Sequence, residues 1–250
     1  MEILPVQARE AEAKTVNETV IKLPGIDNYF VEEAFNVLRT NIQFCGQDVK
    51  VIALTSVTQN EGKTVLALHL GRSLSELGKR VLVIDADLRK SVMAGRNSNS
   101  KSVSGLSETV TGMATLQDCI YTTQYPNLDV LFSGKYPPNP VELLNGRYFD
   151  ELIKAVSRVY DYVIIDTPPL GMVIDAAVIA AHCDSALLVI GNNNIHYKDA
   201  QEVVQQLEKS GCNVLGVVLN NANEQRKGYY SKKYNYGYYA DGSNKESAKS

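Results

Sequence analysis

Six short aliphatic and β-branched runs, at residues 51–56, 80–85, 128–132, 162–166, 185–190 and 214–219, are separated by segments long enough to hold helices. Their apolar residues run on rather than alternate with polar ones, so each reads as a strand covered on both faces. Strands of that kind joined by helices imply an α/β chain with a doubly wound, largely parallel sheet and right-handed crossovers. Such sheets bind ligands beyond the carboxyl ends of their strands, so the residues just after each run carry the chemistry.

The first run leads into SVTQNEGKT (residues 56–64), in which Gly62-Lys63-Thr64 opens a helical pattern of Val65, Leu66, Leu68 and Leu70. A strand, a turn and Gly-Lys-Thr at a helix start is the setting in which backbone N–H groups cradle phosphates. On this reading Glu61 and Gly62 belong to the nucleotide loop, and Lys63 reaches the β- and γ-phosphates. The Thr64 hydroxyl takes one position on Mg²⁺. The pattern G-x-x-x-x-G-K-[ST] has Val57 at its first glycine, and Asn60 stands where a second glycine is common. Asparagine tolerates the left-handed conformation better than most residues, so the turn can still form.

Two other strand ends carry carboxylates: Asp85 and Asp87 in RVLVIDADLR, and Asp166 in YVIIDTPP. One Asp after a strand is usually a turn or helix-cap residue. Three at two strand ends, downstream of Gly-Lys-Thr, would repel one another unless a cation sat among them. Asp175 reads as the N-cap of the next helix. Asn220 closes the last run, where its amide could meet an adenine edge.

The formal net charge of −3 argues against a nucleic-acid partner, which would require a basic excess. No apolar run is long enough to span a membrane, and the start lacks the basic-then-apolar pattern of a signal peptide. Cys45, Cys119, Cys183 and Cys212 lack metal-ligand spacing and read as reduced thiols, and His69, His182 and His196 form no ligand or triad pattern. Residues 1–28 read as an arm over the surface. An amphipathic helix at 31–44 then places Phe35, Leu38 and Ile42 on one face. These observations divide the chain into an arm and helix (1–48), a phosphate-loop core (49–224) and a tail (225–250). The Ser/Asn-rich piece before Gly105 predicts a mobile loop, and the prolines of KYPPNPVELL (residues 135–144) a rigid turn before a helix. The tail holds Tyr229, Tyr230, Tyr234, Tyr236, Tyr238 and Tyr239 in a polar setting that predicts disorder.

This set of motifs resembles the bacterial tyrosine kinases of capsule and exopolysaccharide synthesis, in the separate-chain form of Gram-positive bacteria. The resemblance runs through EAFNVLRTNIQF, the modified Walker A motif at residues 61–64, VIDADLR, PPNPVELL, VIIDTPP and the tyrosine cluster. It implies ATP- and Mg²⁺-dependent autophosphorylation of the six tail tyrosines in trans, within a homo-oligomeric ring. Carried onto this chain, Lys63 and Thr64 bind phosphates and Mg²⁺, Asp87 and Asp166 hold the metal, and Asp85 accepts the tyrosine proton. The family's E-x-x-R-x-x-R ring motif falls on Glu33, Asn36 and Arg39, with asparagine in place of the first arginine. The resemblance also implies a membrane adaptor, the polysaccharide chain-length regulator, as activator, and a cognate tyrosine phosphatase. The chain would then sit in the cytoplasm at the inner face of the membrane through its adaptor. A rival reading is a nucleotide-switch ATPase resembling the partition and cell-division positioning ATPases. Their loop carries an extra lysine where this chain has Thr58.

Overall fold

The computed structural model describes residues 21–23, 25, 28–97, 103–191 and 195–221. The expectations for residues 1–20, for most of the Ser/Asn-rich piece and for the tyrosine tail fall outside those residues.

Helix α1 (Tyr29–Phe44) starts at Asn28, whose side-chain oxygen accepts a hydrogen bond from Phe30 N at 2.9 Å. Its Ile42 is buried, and Phe35 and Leu38 pack against the core, as the helical spacing predicts. Strand β1 (Val51–Ser56) follows, then α2 (Lys63–Ser75), β2 (Val81–Asp85) and the short helices α3 (Met93–Asn97), α4 (Leu106–Val110) and α5 (Leu116–Cys119). After β3 (Ile120–Thr122) and β4 (Leu128–Leu131) come α6 (Pro140–Leu144), with proline at its first position after the rigid turn, and α7 (Arg147–Val159). The chain continues through β5 (Tyr162–Asp166), α8 (Asp175–Ala180), β6 (Ser185–Gly191), α9 (Tyr197–Lys209) and β7 (Asn213–Asn220).

The seven strands lie in the order β3-β4-β2-β5-β1-β6-β7, parallel except for β3 against β4. The antiparallel edge strand β3 has no counterpart among the six expected runs. With three residues, it is too short to show a period. Strands β1, β2 and β5 are buried along nearly their whole length. Apolar clusters on both faces cover them, one built largely on α2 and the other on α7 and α8. Gly71 lets α2 lie close to the sheet. A Cβ there would come within 2.7 Å of Val83 Cγ2.

The arm departs from its expected surface course where it is described. Ile21 is 1% exposed and forms a parallel bridge with Thr123, and Leu23 is also buried. Two apolar residues on a short segment gain more by filling the sheet edge than by staying in water.

Candidate active site

The sheet topology sets the ends of β1, β2 and β5 side by side. Asp85 and Asp166 are register partners on adjacent parallel strands, and β1 lies on the other side of β5. The loop from β1 to α2 turns on two left-handed residues, Asn60 (φ 63°) and Gly62 (φ 88°). Asparagine thus serves where glycine is common. Glu61 turns inward. Its Oε1 accepts from Thr58 N at 3.0 Å and Thr58 Oγ1 at 2.6 Å, while its backbone carbonyl accepts from Asn220 Nδ2 at 2.9 Å. The loop is therefore tied internally at Thr58 and externally at β7. Any Cβ on Gly62 would run into the Asn220 amide.

Lys63 folds back over this loop, and its Nζ donates to Ser56 Oγ at 2.7 Å. Burial lowers its pKa; the carboxylates of Asp166, Asp87 and Glu61 offset part of that shift. Thr64 Oγ1 donates to Asp166 Oδ2 at 2.5 Å, and Asp166 Oδ1 is buried without a hydrogen-bond partner. Burial raises the Asp166 pKa to about 7, against hydrogen bonding from Thr64 and the charge of Lys63. Asp85 is pushed well above its ordinary value, first by burial and then by Asp166. Both its oxygens are occupied: Oδ1 accepts from Asp87 N at 3.2 Å, and Oδ2 from Ser91 Oγ. Asp87 is the more open carboxylate, with Oδ1 holding the N–H groups of Arg89 at 3.1 Å and Lys90 at 2.9 Å.

An open cleft of about 120 Å³ runs between the loop and these strand ends. Asn60, Gly62, Lys63, Thr64, Asp87, Lys90 and Asp166 are among its lining residues. Asp85 lies beneath it, 1% exposed. The orphaned Asp166 oxygen, the adjacent threonine hydroxyl and the raised carboxylates fit a divalent cation. Among the described residues no cluster of three or more His, Cys, Asp and Glu side chains forms a protein-only cage. Mg²⁺ itself is usually held by one or two carboxylates together with phosphate oxygens and waters.

Asp175 does not cap a helix. It is the first residue of α8, it makes no capping bond, and it is wholly buried. Arg89 donates to both of its oxygens, from Nε at 2.7 Å and Nη2 at 3.0 Å. A buried carboxylate at that depth needs a cation more than the helix needs a cap. The sequence reading missed this pair, along with Ser56, Ser91 and the placement of Lys90. The partners are distant in sequence or ordinary serines, so no local pattern marks them. Of the two expected ring-contact residues, Glu33 is exposed and accepts from Asn36 Nδ2 at 3.0 Å. Arg39 donates to Ser73 O at 2.7 Å and Ser73 Oγ at 3.1 Å, which ties α1 to α2. The six tail tyrosines lie outside the described residues.

Lysine and threonine at a helix start, facing strand-end aspartates, define a nucleoside-triphosphate-binding domain of the phosphate-loop class. The family model described as an AAA domain matches residues 49–214. Within that class the chain belongs to the bacterial tyrosine-protein kinases. It is 44% identical over 206 residues to the tyrosine-protein kinase CpsD of Streptococcus agalactiae, covering 82% of this chain and 90% of that protein. The kinase domain of the Escherichia coli tyrosine kinase ETK superposes with a TM-score of 0.71 at 33% identity, over 76% of this chain and 74% of that one. The septum site-determining protein MinD of Pyrococcus horikoshii, complexed with Mg-ADP, reaches 0.58 at 27% identity, over 70% of this chain and 72% of that one. The cell-division ATPase reading is thus the weaker of the two.

Proposed function

We propose that this kinase transfers the γ-phosphoryl group of Mg-ATP to tyrosine hydroxyls in the tail of a neighbouring copy, and that it serves polysaccharide synthesis beside a membrane adaptor. The observation that carries the reading is the convergence of Lys63, Thr64, Asp87 and Asp166 on one cleft at the helix start. The loop amides and Lys63 would hold the phosphates. Thr64, Asp166 and Asp87 would hold Mg²⁺, which when bound offsets charge on the phosphate oxygens. Asn220 would meet the base of the nucleotide through its side-chain oxygen, with its nitrogen bracing the loop at Glu61 O.

In the transfer, the bond from the γ-phosphorus to the β–γ bridging oxygen breaks and one from the phenol oxygen forms. ADP leaves, and the phenol proton passes to a carboxylate. A tyrosine near pKa ~10 and an ordinary aspartate near ~4 would make early proton transfer uphill by roughly 8 kcal/mol. Asp85 would be that acceptor, as the family resemblance implies, with Ser91 Oγ on its Oδ2. The proton moves late, in a loose transition state where positioning supplies most of the acceleration.

No described helix is long and apolar enough to cross a membrane. Membrane association would then depend on the adaptor, with Glu33 and Arg39 at the start of ring contacts. Intact-mass measurement before and after Mg-ATP tests the reading. Mass gains in phosphate steps, mapped to residues 229–239 and absent from Lys63→Met, support it. ADP release without any mass gain would favour the ATPase alternative.

A further inference from the structure

Phosphoryl transfer moves negative charge onto the leaving and transferring oxygens, and enzymes of this class meet it with more than one cation. The basic side chains around this cleft differ in how far they are engaged. Lys63 is 8% exposed and bonded to Ser56. Arg89 is turned away from the cleft onto Asp175, both of whose oxygens it occupies. Lys90 is different. It lines the same cleft as the loop residues Asn60, Gly62, Lys63 and Thr64, it is exposed, and its side chain makes no ion pair or hydrogen bond among the described residues. Its backbone is nevertheless fixed, because Lys90 N donates to Asp87 Oδ1 at 2.9 Å. An ammonium unpaired among the described residues, on a fixed backbone and on a residue that lines the same cleft as Lys63 and Thr64, is available to a ligand bound there.

We propose that Lys90 is a further catalytic residue, whose ammonium contacts the terminal phosphate of the bound nucleotide and follows it through transfer. The inference rests on the kinase reading above. Lys90 takes no proton in the step; it balances charge on the phosphoryl oxygens while the phenol proton goes to a carboxylate. Because that charge is absent from the diphosphate product, the contact discriminates triphosphate and transition state from Mg-ADP.

The test uses the full chain, with Lys90→Gln and Lys90→Arg beside wild type and Lys63→Met. Phosphotyrosine formation is followed in a single turnover. Affinity is measured separately for Mg-ADP and for Mg-ADP with aluminium fluoride, a mimic of the transferring phosphoryl. For Lys90→Gln we expect a rate loss of about 30- to 300-fold, a comparable loss of affinity for the mimic, and Mg-ADP affinity within about threefold of wild type. Lys90→Arg should recover much of the rate. A Lys90→Gln enzyme within threefold of wild type in rate, while Lys63→Met is inactive, overturns the proposal. So does an equal loss of affinity for Mg-ADP and for the mimic, which would make Lys90 a general electrostatic contributor. If wild type forms no phosphotyrosine, the kinase reading fails instead, and aluminium fluoride binding still decides whether Lys90 meets a transferring phosphoryl.

Discussion

Arg89→Ala tests how the turn after β2 is anchored. Asp175 is fully buried, and both its oxygens accept from this one guanidinium, at 2.7 and 3.0 Å. Stranding a buried carboxylate by removing its partner typically costs about 3–5 kcal/mol. The Arg89 side chain is 36% exposed, so water screens one end of the pair. We therefore expect about 2–3 kcal/mol, below the usual range. In a chain of this size about 1 kcal/mol moves Tm by ~2–4 °C, so the variant should melt roughly 4–12 °C below wild type. Because no nucleotide is needed, calorimetry on the free protein measures this directly. The double variant Arg89→Ala/Asp175→Ala leaves no stranded charge and should be more stable than Arg89→Ala alone. If instead the single losses add to within about 0.5 kcal/mol, the two side chains act independently and Arg89 is not the anchor of this turn.

Three further outcomes follow from the same geometry. Asp166 has its folded pKa raised to about 7, so its charged form costs stability as pH climbs from its ordinary value through 7. Asp166→Asn should therefore exceed metal-free wild type by about 1–2 kcal/mol at pH 8 and match it near pH 4, while losing Mg²⁺-dependent nucleotide binding; equal melting curves at both pH values would contradict this. Glu108 is pushed up by burial but drawn further down by N–H groups of Gly105 and Lys135, its own N–H and the Ser107 hydroxyl, for a net lowering. Its contribution is present above the ordinary glutamate value and lost as pH falls below it, so Glu108→Gln should be less stable at pH 7 and flatter in acid melts between pH 5 and 3. In Gly71→Ala a gain of about 1 kcal/mol in helix propensity opposes an overpacking cost of about 1–3 kcal/mol against Val83 and Leu128, so urea titration should show a net loss.

Much of the site was legible in the residues alone, for a physical reason. A phosphate cradle must be built from contiguous backbone, so Gly62, Lys63 and Thr64 announce it locally; residue type left a turn at Asn60 possible, and the structure makes it left-handed. The carboxylates were legible because a strand covered on both faces is an unbroken apolar run, and three Asp at the ends of two such runs mark the end of the sheet where ligands bind. The same continuity made the parallel sheet readable.

Tertiary structure alone decided which of these groups line the cleft and which lie beneath it. Asp85 and Asp87 look equivalent in DAD, yet parallel pairing beside Asp166 buries the first and leaves the second on the cleft wall. Arg89 and Asp175 are 86 residues apart, and only the folded chain brings the turn after β2 to the start of α8. That pairing removes Arg89 from the cleft and leaves Lys90 as the free ammonium there among the described residues. Ile21, read as part of a surface arm, fills the sheet edge beside Thr123. Local sequence determines backbone shape and burial tendency over a few residues. Which charge neutralises which is a matter of distance in space, and only the completed sheet sets those distances.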